Sequence, residues 1–222
     1  FHVTGVQTCA LPISGVSAAQ QVLTLRHDVI ACGPGLGVHA GTRALVEGLL
    51  ARSEAPLILD ADALTVLGAS PEALRGREDR PVIITPHPGE MARLIGASVD
   101  DIQARRLDVA SEFASAHGVF VVLKGHRTII ATPDGRVVIN PTGGPGLATG
   151  GTGDVLTGML AAWLAQLLDP EAACRLAVFL HGASGDAAES AVGQIPMTAT
   201  SVIAHIGAAI THLLHPQPSS GN

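Results

Sequence analysis

Aromatic and charged side chains are both scarce in this chain of 222 residues. Aromatic residues make up 2% of the sequence and charged residues 14%, whereas apolar residues make up 47%. A chain this apolar is not expected to be disordered, and its small and branched side chains suit helices packed on a buried parallel sheet. No run reaches the ~18 consecutive apolar residues that span a bilayer. The composition therefore predicts one globular α/β domain without a membrane partner.

Positive charge and cysteine are also limited. The net charge is −6 and no basic run is present, which argues against a nucleic-acid partner. An acidic protein that binds phosphates must use backbone N–H groups, a metal ion or one well-placed cation. The three cysteines, Cys9, Cys32 and Cys174, lie far apart and form no CxxC pair. This spacing is typical of reduced thiols in a cytoplasmic protein rather than of disulfides or a zinc site.

The two ends of the chain differ from the rest. Phe1–Ser14 has neither a helix or strand period nor the basic start and apolar stretch of a signal peptide, so we interpret it as foreign or artefactual sequence. Pro216–Asn222 is rich in Pro, Ser and Gly and is predicted to be a disordered tail. The domain itself is predicted to span residues 15–215.

Short apolar runs alternate with helical patterns along the domain. The runs predict buried strands at Asp28–Cys32, Pro56–Leu59, Pro81–Thr85 and Val119–Leu123, and a hairpin of Arg127–Ala131 and Arg136–Asn140. The helical patterns are His39–Arg52, Asp62–Leu67, Glu90–Ile95, Asp100–His117, Asp154–Leu167, Pro170–Glu189 and about Thr200–Leu214. Ser98 or Asp100 is expected to cap the fourth helix and Asp169 the sixth. This alternation predicts a doubly wound, mostly parallel sheet with helices on both faces.

The segment Thr142–Asp154 is the strongest functional signal. Six of the eleven residues from Gly143 to Gly153 are glycine, and a long apolar helix follows. Glycine lets the backbone approach a ligand and point its N–H groups at an anion, and a helix N-terminus favours the same charge. Asp154 opens that helix, so we interpret it as the base of a phosphoryl transfer rather than as an ordinary capping residue. The segment is not a Walker A loop, because no Gly-Lys-Ser/Thr ends it.

Lys124 is the only lysine among the 13 cationic residues. Its position at a strand end before Gly125 indicates a compact ammonium placed on a phosphate, although chance placement stays an alternative. His87 and Glu90 also follow a strand, in a segment that two prolines and a glycine make rigid. His87 is equally compatible with a structural and a functional role, and Glu90 with simple stabilisation of a helix N-terminus.

Two further strand ends carry weaker signals. Gly33–Gly37 follows the first strand, and a glycine-rich turn of this kind is common between a strand and a helix. Asp60 and Asp62 follow the second strand. Asp62 is predicted to cap the next helix, and Asp60 either faces the site or is structural, with the structural role favoured.

Taken together, these segments resemble the ADP-dependent NAD(P)H-hydrate dehydratases, whose fold is ribokinase-like. The resemblance covers the chain from about Val29 to the last helix, in the family's own order. The matching stretches are GPGLG at Gly33–Gly37, LDADAL at Leu59–Leu64, TPHPGEMARL at Thr85–Leu94, VLKGHRTIIATPDG at Val122–Gly135 and NPTGGPGLATGGTGDVLTGM at Asn140–Met159. The last stretch is long enough to be highly specific.

The resemblance implies a role for each matching residue. The nucleotide-binding residues would be Lys124, Gly125, His126, Arg127, Thr128 and Gly153. Gly35, His87 and Asp154 would contact the hydrated dinucleotide, with Asp154 catalytic. The implied reaction restores NADH or NADPH from its hydrate by phosphorylation from ADP (or ATP) and elimination of phosphate. Mg²⁺ would offset the phosphate charge, with Glu90 in its outer shell.

The resemblance also implies partners and marks departures. A homo-oligomer, typically a homotetramer, and fusion or pairing with an NAD(P)H-hydrate epimerase would be expected. Relatives usually begin with about eighty more residues, so we expect the sheet here to lack N-terminal strands and the chain to self-associate. Gly144 replaces an asparagine that is usual in the family.

Two rival interpretations stay open at this point. A ribokinase-like vitamin kinase, acting on hydroxymethylpyrimidine, hydroxyethylthiazole or pyridoxal, also places GTGD-like sequence at a helix start. Those kinases typically carry Asn-x-x-Glu where this chain has His87 to Glu90, which favours the dehydratase. The other rival is an inactive, truncated nucleotide-binding remnant, against which the presence of Lys124, Glu90 and Asp154 argues.

Overall fold

A computed structural model describes residues 16–68, 70–167 and 169–215 of the chain. The helices in this part are α1 Val16–Thr24, α2 Ala40–Arg52, α3 Asp62–Leu67, α4 Pro88–Ile95, α5 Val99–Ala104, α6 Arg106–His117, α7 Thr152–Leu167, α8 Pro170–Val192 and α9 Ala199–Leu214. The strands are β1 Ile30–Cys32, β2 Leu57–Leu59, β3 Val82–Ile84, β4 Phe120–Leu123, β5 Ile129–Ala131 and β6 Val137–Ile139. Short 3₁₀ turns span Pro71–Ala73 and Pro145–Ala148.

The six strands form one sheet whose order follows the sequence, β1-β2-β3-β4-β5-β6. The first four strands are parallel, and β5 and β6 add to the sheet as an antiparallel hairpin. In the parallel part the chain leaves each strand at the same edge of the sheet. The loops after β1 to β4 are therefore neighbours at that edge, where open α/β sheets bind ligands.

Helices cover both faces of the sheet, because the strands are apolar on both sides. In β2, Leu57 and Leu59 belong to the core beneath α1 to α6, whereas Ile58 belongs to the core beneath α7 to α9. The alternation repeats in β3 and β4, whose Ile83 and Val122 join the second core. The predicted mostly parallel sheet with helices on both faces is confirmed.

One predicted helix is wrong in its extent. Asp100–His117 was expected to be continuous, but Arg105, at φ −131° and ψ 35°, separates α5 from α6. Ser98 starts α5 as predicted, in a reciprocal cap with Asp101. The N–H of Arg105 is shared between the carbonyls of Asp101 and Ile102, which closes α5. A hydrophobic period alone cannot reveal such a break, because Ile102 and the buried face of α6 keep helical spacing across it.

Other boundaries differ by a few residues. The strands are shorter than predicted. In β2 and β3 the residues left out include Pro56 and Pro81, which have no N–H to donate to a neighbouring strand. α4 and α7 begin earlier than predicted, and α8 ends later than predicted. Asp169 caps α8 as predicted. Within the described part, no helix is both long and apolar enough to cross a membrane. The predictions for Phe1–Ser14 and Pro216–Asn222 lie outside the described residues.

Candidate functional site

The turn after β1 brings the backbone against the end of β2. Gly33 has φ +143°, and a β-carbon built on it would lie 1.7 Å from the carbonyl oxygen of Asp60. Only glycine tolerates both the conformation and the approach. Gly35, at φ +72°, has open space where a side chain would project within the described structure. The turn is fastened to α3 because the N–H of Gly37 donates to Asp62 Oδ2 at 2.8 Å.

That last contact corrects the prediction for Asp62. Asp62 is the first residue of α3, and the capping position is Ala61, which makes no side-chain cap hydrogen bond. The carboxylate of Asp62 instead reaches across 25 residues to Gly37. A tertiary hydrogen bond takes the place of the local one that an aspartate at a helix start would otherwise make.

Asp60 and Lys124 form the buried centre of the site. Lys124 Nζ donates to Asp60 Oδ1 at 2.7 Å and lies 3.8 Å from Glu90 Oε2. Asp60 is 1% exposed, and its other oxygen accepts from Thr157 Oγ1 of α7 at 2.8 Å. A carboxylate this buried is costly without such partners. The lysine singled out by composition is thus placed between two acidic residues, with its side chain 20% exposed.

The first turn of α7 lies directly beside Lys124. A β-carbon on Gly153 would be 3.6 Å from Lys124 Nζ and 3.9 Å from Asp60 Oδ2. Thr152 fixes the start of α7 by donating its hydroxyl to the carbonyls of Leu147 and Thr149. Asp154, the next residue after Gly153, is exposed. The structure therefore places the ammonium of Lys124 beside the first turn of α7, and Asp154 belongs to that turn.

His87 and Glu90 cap α4 reciprocally. His87 Nδ1 accepts from the N–H groups of Gly89 and Glu90, and Glu90 Oε2 accepts from the N–H of His87 at 2.7 Å. His87 Nε2 lies 3.5 Å from Glu90 Oε1. The stabilisation of a helix N-terminus considered for Glu90 is therefore present. The His87 ring is 51% exposed, so it can also contact a ligand while Nδ1 holds the helix.

The turn after β4 carries Gly125 to Thr128. Gly125 has φ +132°, and Arg127 has φ +53°, which is uncommon for a residue with a side chain. Thr128 Oγ1 donates to the carbonyl of Gly125 at 3.2 Å. A residue that the sequence did not single out, Arg106 of α6, reaches the carbonyls of this turn. It lies 17 or more positions away, so no local motif could have indicated it.

The glycine-rich segment is held by carboxylates of α8 that were also missed. The N–H of Gly143 donates to Asp186 Oδ2 and that of Gly146 to Glu189 Oε2, both at 3.0 Å. A β-carbon on Gly144 would lie 2.6 Å from Glu189 Oε2. The absence of a side chain at position 144 thus leaves room for this carboxylate. The signal available in the sequence was an Asp and a Glu three residues apart, on one face of a helix.

His181 of α8 is the fourth missed residue. It is buried at 9% exposure, and its Nε2 lies 2.9 Å from the carbonyl oxygen of Thr152, to which it donates. Burial lowers the pKa of His181 below its ordinary value, with a smaller contribution from the charge of Lys124. The neutral ring therefore stabilises the first turn of α7 through this hydrogen bond.

The donor set around Glu90 bears on the expected Mg²⁺ ion. Among the described residues, no three His, Cys, Asp or Glu side chains are grouped to hold a metal. Mg²⁺ is often bound by one or two carboxylates together with substrate phosphates and several waters. The residues present fit an ion held mainly by phosphates, with Glu90 in an outer shell. They do not fit an all-protein metal cage.

The fold and the site define a class. The structure is similar to a ribokinase-like superfamily protein from Enterococcus faecalis V583, with a TM-score of 0.70 and 30% identity over 89% of this chain and 66% of that one. The mostly parallel sheet with helices on both faces is thus that of a ribokinase-like α/β protein. Residues 3–207 match the sequence model of the NAD(P)H-hydrate dehydratases. The chain belongs to that family.

Two relatives show how far the similarity extends. The chain is 49% identical over 172 residues to the bifunctional NAD(P)H-hydrate repair enzyme Nnr of Moorella thermoacetica, which covers 78% of this chain and 32% of that protein. It also superposes on the ADP/ATP-dependent NAD(P)H-hydrate dehydratase of Bacillus subtilis, co-crystallised with ATP and Mg²⁺, with a TM-score of 0.76 and 38% identity. That match covers 86% of this chain and 66% of the other. The chain thus spans about a third of the first relative and two thirds of the second.

Proposed function

We propose that this protein dehydrates the S-epimer of hydrated NADH or NADPH, driven by ADP. The observation that carries the proposal is the convergence of Lys124, Gly153 and Asp154 at the first turn of α7. A cation, the positive end of a helix dipole and an exposed carboxylate together suit transfer of a phosphoryl group to a hydroxyl. Membership in the dehydratase family supports a hydrated nicotinamide ring as the source of that hydroxyl.

The nucleotide would lie along the turn after β4 and the start of α7. Its binding residues would be those implied by the resemblance: Lys124, Gly125, His126, Arg127, Thr128 and Gly153. Lys124 is held by Asp60 at 2.7 Å and is still partly exposed, so its charge is fixed in place before a phosphate arrives. A preorganised cation of this kind stabilises developing negative charge without a rearrangement.

Asp154 would act as the general base. As the substrate hydroxyl oxygen bonds to the terminal phosphorus of ADP, the bond from phosphorus to the bridging oxygen breaks and AMP leaves. The hydroxyl proton passes to Asp154. The carbon–oxygen bond of the resulting phosphate ester then breaks, and a proton passes from the neighbouring carbon to the departing phosphate or to water. The products are inorganic phosphate and the restored ring double bond, because phosphate is a far better leaving group than hydroxide.

The substrate would be bound by Gly35, His87 and Asp154. Gly35 offers a bare backbone after β1, and the His87 ring is half exposed with Nδ1 already engaged. Mg²⁺ would supply charge neutralisation at the phosphates, with Glu90 in its outer shell. Glu90 is suited to that position because its carboxylate is oriented by the N–H of His87.

The setting of the reaction is part of the proposal. We expect a cytoplasmic homo-oligomer, a homotetramer by resemblance. We also expect it to work with an epimerase that supplies the S-epimer, either fused or as a separate chain. Size-exclusion chromatography with light scattering measures the oligomeric state, and a monomer at micromolar concentration would contradict that part.

A substrate comparison tests the function against the vitamin-kinase rival. The protein is incubated with Mg²⁺, ADP or ATP, and one of hydrated NADH, hydroxymethylpyrimidine, hydroxyethylthiazole or pyridoxal. We expect reduced nicotinamide to appear from the hydrate and no phosphorylated vitamin. Phosphorylation of a vitamin without dehydration of the hydrate would replace the proposal with the rival. Turnover of none of the four substrates would favour the inactive remnant.

A further inference from the structure

Arg106, the first residue of α6, holds the turn between β4 and β5 through its backbone. Its Nη1 donates to the carbonyl of His126 at 2.5 Å. Its Nη2 lies 3.2 Å from the carbonyl oxygen of Leu123 and 3.4 Å from that of Lys124. The planar guanidinium, with several N–H groups in a fixed fork, is the side chain best suited to collect carbonyls in this way.

These contacts determine where the neighbouring N–H groups point. In a trans peptide the C=O of one residue and the N–H of the next are directed oppositely, and the described chain has no cis peptide. With the carbonyl of Lys124 turned toward Arg106, the N–H of Gly125 points away from it. The carbonyl of His126 is likewise turned toward Arg106, so the N–H of Arg127 points away from Arg106. Within the described residues, neither N–H donates a hydrogen bond.

The surroundings of Arg106 are adapted to this contact. Gly125 combines φ +132° with close approach, since a β-carbon there would lie 3.2 Å from Arg106 Nη2. Burial lowers the pKa of Arg106, and no carboxylate of the described chain forms an ion pair with it. The break at Arg105 makes Arg106 the first residue of a separate helix. The hydrogen bonds of the guanidinium are therefore made to the backbone of this segment.

We propose that Arg106 is a positioning residue for nucleotide binding, which turns the N–H groups of Gly125 and Arg127 outward as donors to acceptor atoms of the nucleotide. Free N–H groups that lie close together on a turn form a concave site for such acceptors. The inference rests on the proposed function, in which this turn binds ADP. If the inference holds, the affinity of the turn for ADP depends on Arg106, which itself need not touch ADP.

The test compares Arg106→Ala and Arg106→Lys with Arg105→Ala. Arg105 is the matched control, because it carries the same charge one position away and its side chain, 58% exposed, forms ion pairs with Asp108 and Glu112. Binding of ADP is measured by calorimetry and folding by circular dichroism. We expect Arg106→Ala to weaken ADP binding by on the order of tenfold or more, since hydrogen bonds from a charged donor are the stronger class. Arg105→Ala should bind ADP like the wild type.

Two measurements distinguish a role of Arg106 in positioning the turn from a role in the stability of the whole protein. The KM for ADP should rise in Arg106→Ala, while kcat at saturating ADP and binding of the hydrated dinucleotide stay near the wild-type values. In ¹H–¹⁵N spectra of the wild type, the amide resonances of Gly125 and Arg127 should shift on addition of ADP. These shifts should be weakened in Arg106→Lys, which keeps the charge but has a single nitrogen in place of Nη1 and Nη2. This variant also serves if the alanine variant does not fold.

The outcomes distinguish the inference from the function on which it rests. A wild-type protein that binds no ADP would overturn the proposed function and this inference with it. A wild-type protein that binds ADP, with unchanged affinity in a folded Arg106→Ala or Arg106→Lys variant, would overturn the inference alone. The same holds if the resonances of Gly125 and Arg127 do not respond to ADP in the wild type.

Discussion

At the scale of single residues, Asp154 bears most of the proposed chemistry. It is exposed in the first turn of α7, next to the glycine that approaches Lys124. Asp154→Asn keeps the size of the side chain and removes the base. We expect ADP binding nearly unchanged and turnover lower by roughly a hundredfold or more, as is usual when a general base is lost. Asp108→Asn, at an exposed position of α6, is the control, and wild-type turnover in the Asp154 variant would refute the assignment.

Lys124 has two predicted roles, in ADP binding and in the stability of the fold, and two variants separate them. Lys124→Ala should weaken ADP binding more than binding of the hydrated dinucleotide, because the ammonium is predicted to meet a phosphate. It should also lower the melting temperature, because Asp60 would be left as a buried carboxylate without its ion-pair partner. Calorimetric titration and thermal unfolding measure the two effects. Removing Asp60 as well, in Asp60→Asn/Lys124→Ala, should recover part of the stability but not the ADP affinity.

The contrast between Lys124 and Asp60 shows what sequence alone can predict. Composition singled out Lys124, because a lone lysine among arginines is visible without a structure. For Asp60 the sequence favoured a structural role over a position facing the site. In the structure Asp60 is buried, and its carboxylate forms an ion pair with Lys124. The ion pair joins residues 64 positions apart, so only the sheet topology reveals it. Arg106, Asp186, Glu189 and His181 were missed because their partners also lie far from them along the chain.

His181 makes stability depend on pH in a predictable direction. Its folded-state pKa lies below the ordinary value of 6.5, because burial disfavours the charged ring. The unfolded chain therefore binds a proton that the folded protein excludes, and stability falls as the pH drops through about 6.5 and below. His181→Gln, which keeps a donor for Thr152, should lose less stability than the wild type between about pH 7.5 and 5.5. His212→Gln, at an exposed position of α9, should behave as the wild type in the same unfolding series, and an identical pH dependence in all three would contradict the account.

At the scale of elements, the turn after β1 is the most constrained connection near the site. Gly33→Ala would force a β-carbon into the carbonyl of Asp60 at a φ that alanine avoids. We expect a loss of at least about 2–3 kcal/mol in the free energy of unfolding, through both strain and displacement of β2. Urea unfolding measures it.

The control for this substitution is a glycine without such a constraint. Gly207 lies within α9, and a β-carbon there meets nothing within 4 Å in the described structure. Gly207→Ala should therefore stabilise the protein by about 0.5–1 kcal/mol, the usual preference for alanine in a helix. If Gly33→Ala were as stable as the wild type, the close approach of Gly33 to Asp60 would not exist in solution.

Element types were predictable, whereas their ends were not. The four parallel strands were found because each is a short apolar run with a turn residue after it. The ends depended on hydrogen bonds that the pattern does not contain. Pro56 and Pro81 lie outside β2 and β3, His87 extends α4 by a reciprocal cap, and Arg105 divides one predicted helix into two.

At the scale of the whole molecule, the sequential strand order explains why the candidate residues meet. Four parallel strands end at one edge, and the loops there carry Gly33, Asp60, His87 and Lys124. This convergence was predictable, because ligands of open α/β sheets bind at that edge. The position of α7 was not, since it depends on the packing of α7, α8 and α9 against the opposite face. That packing brings Gly153 and Asp154 to Lys124.

The stoichiometry of the reaction tests the central claim most directly. Hydrated NADH, ADP and Mg²⁺ are mixed with the protein, and the absorbance of reduced nicotinamide is followed together with AMP and inorganic phosphate. If phosphorylation drives dehydration at this site, NADH, AMP and phosphate appear in equal amounts, and none appears when ADP is omitted. Recovery of NADH without consumption of ADP, or consumption of ADP without recovery of NADH, would contradict the account.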